Sequence, residues 1–371
     1  MECGVSTMSQ RIKNIFHNCP TTVDCILLKN ASLPYIDDNF FYVTNLDQGI
    51  FEGSCAVLYP DGSCEILISE LEAESARKST AHQTVYKTKD EFSKALINLV
   101  SSFHLIGVNA SGISYQEFNR CKELLPNIEF VNVSDAFSKT RLIKDEQEIQ
   151  TIQHACRIAD DTMAALPDII TEGMTENELA AEINYALQSF GAENPAFDTI
   201  SSFGKNTAEP HYDHDEVQLR KGDLIVCDFG ACYKKYNSDI TRTFVCGKAT
   251  RQQKEMYETV LQAQQCAFDA IKPGLRACDI HQKTLSSINS TQFNGRFIHS
   301  TGHHLGLLVH DGSGFTPDNT MELHKNMVLT VEPGVYLPGV GGVRIEDDIL
   351  INNNGTELLT KSPHIFLEIE K

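Results

Sequence analysis

Residues 223–247 read DLIVCDFGACYKKYNSDITRTFVCG, two apolar, β-prone runs that each carry one aspartate and are separated by a polar turn. Folding this stretch about Tyr233 and Lys234 predicts a β-hairpin with Asp228 directly opposite Asp239, since both lie equally far from the turn. Directly opposed residues of an antiparallel pair share a face, with Cβ atoms about 5 Å apart. A second stretch, MVLTVEPGVYLPGVGGVRIEDDILI at 327–351, folds about Gly339 and by the same arithmetic sets Glu332 opposite Glu346. Arg344 lies two residues before Glu346 and therefore on the same strand face. Arg242, three residues after Asp239, falls on the opposite face and suits a structural salt bridge.

Like charges facing each other across a ladder destabilise it, so a sequence that does this twice calls for a bound cation or for raised carboxyl pKa values. The flanks LIVCDFG and MVLTVEPG read as buried strands, which argues against acids that simply face water. Four carboxylates and one histidine nearly balance two divalent cations held about 3.5 to 4 Å apart, the arrangement that activates a bridging water. Oxygen-rich coordination favours manganese, cobalt, iron or zinc over a thiophilic ion. The histidine has candidates in HSTGHHLGLLVHDGSG, residues 299–314, which holds four of the chain's thirteen: His299, His303, His304 and His310. Spacing alone does not choose among them: a strand would group His304 with His310, a helix His303 with His310.

The rest of the chain narrows the class of protein. Its 371 residues exceed one ordinary core and suggest about two domains. A formal charge of -19 with no basic stripe argues against a nucleic-acid partner. There is no apolar run long enough for a bilayer and no signal-like apolar core near the start, so a cytoplasmic protein without membrane contact is expected. The twelve cysteines form no CxxC pair, which fits reduced, buried thiols. There is no G-x-S-x-G elbow, Walker loop or H-E-x-x-H.

Residues 40–70 read as a short β-meander, followed by alternating helical and strand-like segments that complete a small α/β domain over 1–135. From 139 to 371 a larger domain begins with a long amphipathic helix that sets Ile149, Ile152, Cys156 and Ala159 on one face. This domain repeats itself: ITEGMTENELAAEI from Ile170 and IKPGLRACDIHQKT from Ile271 share an isoleucine, a glycine three residues later and a new helix start. Two copies about 100 residues apart suggest two similar halves around a shared cleft.

Four elements, PHYDHDEVQLRKGDLIVCDFGACYKKYNSDITRTFVCG, STGHHLGLLVHD, MVLTVEPGVY and GGVRIEDDILI, together resemble the pita-bread metallopeptidases, the family of methionine aminopeptidase, aminopeptidase P and prolidase. The match is to the Xaa-Pro branch, whose N-terminal domain FFYVTNLDQG and AVLYPDG also resemble. The resemblance implies an α/β (α+β) chain, a creatinase/prolidase-type N-terminal domain followed by a pseudo-two-fold pita-bread catalytic domain. It further implies that Asp228 chelates one divalent ion, Asp239 and Glu346 bridge two, and His303 and Glu332 bind the other, with manganese or cobalt preferred and zinc or iron as alternatives. In the implied mechanism a metal-bridging hydroxide attacks the peptide bond before proline, Glu332 accepts the proton, and His211 and His310 contact the scissile carbonyl or the leaving nitrogen. His299 matches a histidine near the substrate pocket, Arg344 can orient carboxylates or substrate, and His304 answers to no family role. The substrates so implied are short Xaa-Pro peptides and the assembly a homodimer. Prolidases often carry an arginine a few residues after the second histidine, whereas here no basic residue stands between Asp311 and His324, so peptides longer than dipeptides enter as substrates. A catalytically silent peptide-binding relative and a methionine aminopeptidase are the alternatives. The intact ligand set opposes the first and the N-terminal domain opposes the second.

Overall fold

The structure, a computed structural model, describes residues 7–370 and divides into two compact units, the first ending at Arg141 and the second beginning at Leu142. The first unit is built on a six-stranded sheet of β1 (Cys25–Lys29), β2 (Cys55–Leu58), β3 (Cys64–Ser69), β4 (His82–Tyr86), β5 (Leu105–Val108) and β6 (Glu129–Asn132), in the order β4-β3-β2-β1-β5-β6. The β1–β2 and β2–β3 pairs are antiparallel and the other three parallel. Cys25, Leu27, Val57 and Leu67 pack with Leu96, Val100 and Cys121 from the helices Lys89–Val100 and Tyr115–Leu124, while Ile26, Leu28, Ala56 and Ile66 are buried as well. Burial on both faces explains why these strands read as continuous apolar runs instead of alternating ones.

The meander expected over 40–70 holds for β2 and β3 but not for its first run. Asp38–Thr44 is a helix whose cap, Asp37, accepts from the Asn39 N–H, and which ends on Asn45 at φ 55. Its β-prone Phe40, Phe41, Tyr42 and Val43 are all buried, and packing of that aromatic cluster overrides local propensity. ELEAESARKS at 70–79, whose periodicity reads as helical, is likewise reduced to two short turns, Glu70–Glu72 and Ala73–Ala76.

The second unit carries the repeat in its backbone. Helices Glu146–Ile169 and Arg251–Ala270 end on Ile170 and Ile271 with nearly the same dihedrals, φ -65 and ψ 124 against φ -68 and ψ 123. Gly173 and Gly274 follow with φ 91 and 88, and their N–H groups donate to Leu219 and Leu323. Thr175 and Arg276 then cap the helices Glu176–Ser189 and Ala277–Asn289, each forming an isolated bridge, to Gln218 and to Glu322. Ile149, Ile152, Cys156 and Ala159 are buried on one face of the long first helix, as its periodicity predicts. Each half ends in a hairpin system, and a bridge between Thr241 and Glu346 joins the two. The described cysteines are all free, and no helix among the described residues is long and apolar enough to cross a membrane.

Candidate metal centre

In the first hairpin, β8 (Leu224–Phe229) pairs with β11 (Ile240–Cys246), and β9 (Ala231–Tyr233) pairs with β10 (Tyr236–Asn237), after β7 (Ile200–Phe203) of the same unit. The turn residues are Lys234 and Lys235, with φ 47 and 69, the positive pair that a two-residue hairpin turn requires. The turn therefore lies one position later than the sequence arithmetic placed it, and Asp228 stands opposite Thr241, not Asp239. The slip is two residues in register, so parity survives and Asp228 and Asp239 still share a face as diagonal neighbours. Between the paired segments the ladder is interrupted at Gly230, where any Cβ would sit 1.8 Å from the Ser238 carbonyl oxygen. In the second hairpin the register is the expected one: Val331 opposes Asp347 and Gly334 opposes Arg344, which sets Glu332 across from Glu346.

His303 reaches the acids from a loop pressed against the strand Val328–Val331. Its N–H donates to the Thr330 hydroxyl, and a Cβ on Gly302 would meet the Thr330 carbonyl oxygen at 2.0 Å. Nδ1 donates to the His304 carbonyl at 3.2 Å, which leaves Nε2 as the electron-pair donor, 3.6 Å from Asp239 Oδ2 and 3.7 Å from Glu332 Oε1. Asp239, His303 and Glu346 each offer one ligand atom, all within 4.8 Å of one another. Asp228 and Glu332 line the same cavity, about 750 Å³, together with His211, His299, His310 and Arg344. Every site residue named from the sequence is therefore gathered at one place, and His304 is fully buried outside the cavity lining.

Charge in this cage is out of balance. Burial, with the facing carboxylates adding to it, drives Asp239 and Glu346 well above the ordinary carboxyl range, and burial pushes Glu332 up to about 8. Arg344, the one guanidinium lining the cavity among the described residues, is spent on protein groups: Nη2 on Asp228, Nε on Thr241 Oγ1 at 3.2 Å, and Nη1 on Tyr336 and the Pro210 carbonyl. Buried atoms Asp228 Oδ1 and Asp239 Oδ1 have no hydrogen-bond partner. Orphaned carboxylate oxygens and a tautomer-fixed histidine converging on one point form an oxygen-rich donor set that divalent cations would satisfy.

The sequence pattern of metallopeptidase family M24 matches residues 150–353, and that of the creatinase/prolidase N-terminal domain matches residues 21–143. The chain belongs to metallopeptidase family M24. An Xaa-Pro dipeptidase of Pyrococcus horikoshii is 38% identical to this M24 chain over 360 residues, 96% of this chain and 98% of the relative. The solved Xaa-Pro dipeptidase of Bacillus anthracis superposes with a TM-score of 0.89 at 31% identity, covering 97% of this chain and 99% of that one. The X-Pro aminopeptidase of Thermotoga maritima does so with a TM-score of 0.87 at 30% identity, covering 93% and 97%. The protein is thus an M24 metallopeptidase with a creatinase-type N-terminal domain and a pita-bread domain, and membership implies divalent metal ions.

Several residues of this M24 site escape a reading of the sequence. Tyr336 receives Arg344 Nη1 at 3.1 Å and lies 2.8 Å from His299 Nε2, while His299 Nδ1 donates to the Ser300 carbonyl, so both His299 nitrogens are engaged by protein. The signal for Tyr336 was present, since folding about Gly339 pairs it with Gly342, two residues from Arg344 and so on the same strand face. Asp311 pairs with Lys144 at 3.3 Å, both almost fully buried, an association across 167 residues that no local pattern announces. Arg242 forms the buried salt bridge expected of its face, to Asp347 at 2.7 Å, which gives Asp347 a structural role that the sequence left unassigned.

Proposed function

We propose that the protein hydrolyses the bond between an N-terminal residue and proline in short peptides, as an Xaa-Pro dipeptidase or Xaa-Pro aminopeptidase. The observation that carries the reading is the convergence of Asp228, Asp239, His303, Glu332 and Glu346 with His211 and His310 on one cavity. The relatives named as Xaa-Pro dipeptidases and X-Pro aminopeptidase support it. In this proposal Asp228, Asp239, His303, Glu332 and Glu346 would together hold two divalent ions, with manganese or cobalt preferred. Two bound divalent cations supply a nucleophile at neutral pH and stabilise negative charge as it develops on the scissile carbonyl.

The chain's own residues do the rest. Glu332, half-buried at the wall of the cavity, accepts the proton of the attacking water and returns it to the proline nitrogen as that bond breaks. His310 lies with its ring 4.1 Å from that of His303, and partial burial lowers its pKa, so near neutral pH it is an uncharged donor for the scissile carbonyl or the leaving nitrogen. His211 follows Pro210, whose carbonyl is bonded to Arg344, and approaches the same space. Arg344 serves the carboxylates by orienting Asp228. Phe197, Ile200 and Leu308 give the cavity an apolar wall suited to a proline ring.

Hydrolysis of Ala-Pro, Met-Pro and Ala-Pro-Ala-Ala, followed across several divalent metals and with chelator, tests the reading and separates dipeptidase from aminopeptidase. Metal-replete protein that cleaves none of the three overturns it. Cleavage of Met-Ala peptides would assign methionine aminopeptidase activity, and tight capture of uncleaved peptide a binding protein. A homodimer is part of the proposal, and light scattering in solution checks it.

A further inference from the structure

The backbone accounting around Asp239 has an unusual end. The hairpin ladder is broken beside it: the Gly230 carbonyl is taken by Ala196 N–H, and the Ser238 N–H and hydroxyl are engaged with Ala231. The Asp239 N–H therefore has no strand partner, and it donates instead to Asp348 Oδ2 at 2.8 Å, across 109 residues and between the two halves of the domain. The pseudo-equivalent acid, Glu346, sends its own N–H across to the other half too, to the Thr241 carbonyl at 3.1 Å. One of these two crossing bonds ends on a backbone group present whatever the side chain. The other depends entirely on one side chain. Asp348 is fully buried, and it is held by its N–H to Thr360 Oγ1 at 3.1 Å and by the Cys156 thiol, which donates to Oδ2 at 3.3 Å.

We infer that Asp348 is a positioning residue for the metal centre: its carboxylate fixes the Asp239 backbone, and with it the carboxylate that faces His303 and Glu346. This rests on the reading of Asp239 as a metal ligand. Groups that orient ligands are worth roughly 10- to 100-fold in metal affinity. Asp348→Leu keeps the branched heavy-atom connectivity, though bulkier, and removes the acceptor, whereas Asp348→Asn keeps an oxygen for the Asp239 N–H. Cys156→Ala leaves the Asp239 contact in place.

The test is calorimetric titration of the chelator-treated full chain with Mn²⁺ alone, beside kcat and KM for Ala-Pro. Asp348→Leu is expected to weaken Mn²⁺ binding roughly 10- to 100-fold and to lower kcat with little change in KM. Asp348→Asn and Cys156→Ala are expected to stay within about three-fold of the parent. Parent-like Mn²⁺ affinity in Asp348→Leu overturns the inference, and so does a ten-fold loss in Asp348→Asn. Asp348→Ser, which cannot span the distance, replaces the leucine variant if that one does not fold. A parent protein that binds Mn²⁺ but cleaves no Xaa-Pro peptide would sink the proposed activity alone, because the titration still decides the role of Asp348.

Discussion

Thr241 of the first hairpin donates its hydroxyl to Glu346 Oε2 at 2.6 Å, while its carbonyl accepts the Glu346 N–H at 3.1 Å. A residue of one half thus orients the acid of the other through both backbone and side chain. The same hydroxyl accepts from Arg344 Nε, so one small side chain sets two cavity groups.

Replacing it shows what that is worth. Thr241→Val keeps shape and backbone bonds, and it is expected to lower kcat/KM for Ala-Pro by roughly 10- to 100-fold while leaving the fold intact. Steady-state kinetics beside a thermal melt check this, and unchanged kinetics would remove Thr241 from the machinery.

Arg242 lies beneath the same junction. Its guanidinium bonds Asp347 Oδ1 at 2.7 Å and the Glu346 carbonyl at 2.6 Å, with both ionic groups fully buried. Arg242→Met takes the guanidinium from buried Asp347 and leaves it only His364, Gln264 and Thr360 as partners, and a loss of about 3–5 kcal/mol in urea denaturation is expected. Combining it with Asp347→Asn should cost less than the two single losses added together, since the charge left behind is gone.

The metal-free protein should become less stable as the pH rises from about 7.5 to 8.5. Glu332 is held near 8 in the folded chain against about 4.5 unfolded, so across this range the folded state binds more protons than the unfolded one and stability falls with rising pH. His299, His303 and His304, pushed down to about 3, 4 and 3, work in the opposite sense wherever the unfolded chain still takes up their protons, and they contribute little once the pH is about a unit above the ordinary histidine value of 6.5. Thermal midpoints of chelator-treated protein at intervals from about pH 7.5 to 8.5 test the sign, and a rising midpoint would contradict it. Added manganese should raise the midpoint at pH 8, where the carboxylates are most readily ionised.

Two adjacent histidines should behave oppositely. His303→Ala is expected to lose bound metal, whereas His304→Leu should keep the parent's metal content, because His304 lies outside the cavity lining. Metal analysis of both purified variants decides it.

Gly230 offers a structural control. Gly230→Ala would drive its Cβ into the Ser238 carbonyl at 1.8 Å, a backbone atom that cannot step aside, and loss of both folding stability and metal binding is expected. Parent-like stability in a chemical melt would show that the interrupted hairpin tolerates a shift.

The sequence by itself determined the parity of the acids, the face of Arg344 and of Arg242, the repeat of two helix ends and the apolar character of the strands, because period-two strands and helix caps are local rules. It did not determine the turn of the first hairpin, which Lys234 and Lys235 form without glycine or asparagine to announce it. Nor did it determine the helix at Asp38–Thr44, where aromatic packing overrides propensity. Only the tertiary structure decided which groups hold the acids in place: Asp348 on Asp239, Thr241 on Glu346 and Lys144 on Asp311. These are bonds between residues about 105 to 167 positions apart, made by buried polar groups that must find partners wherever the packed chain brings one within reach.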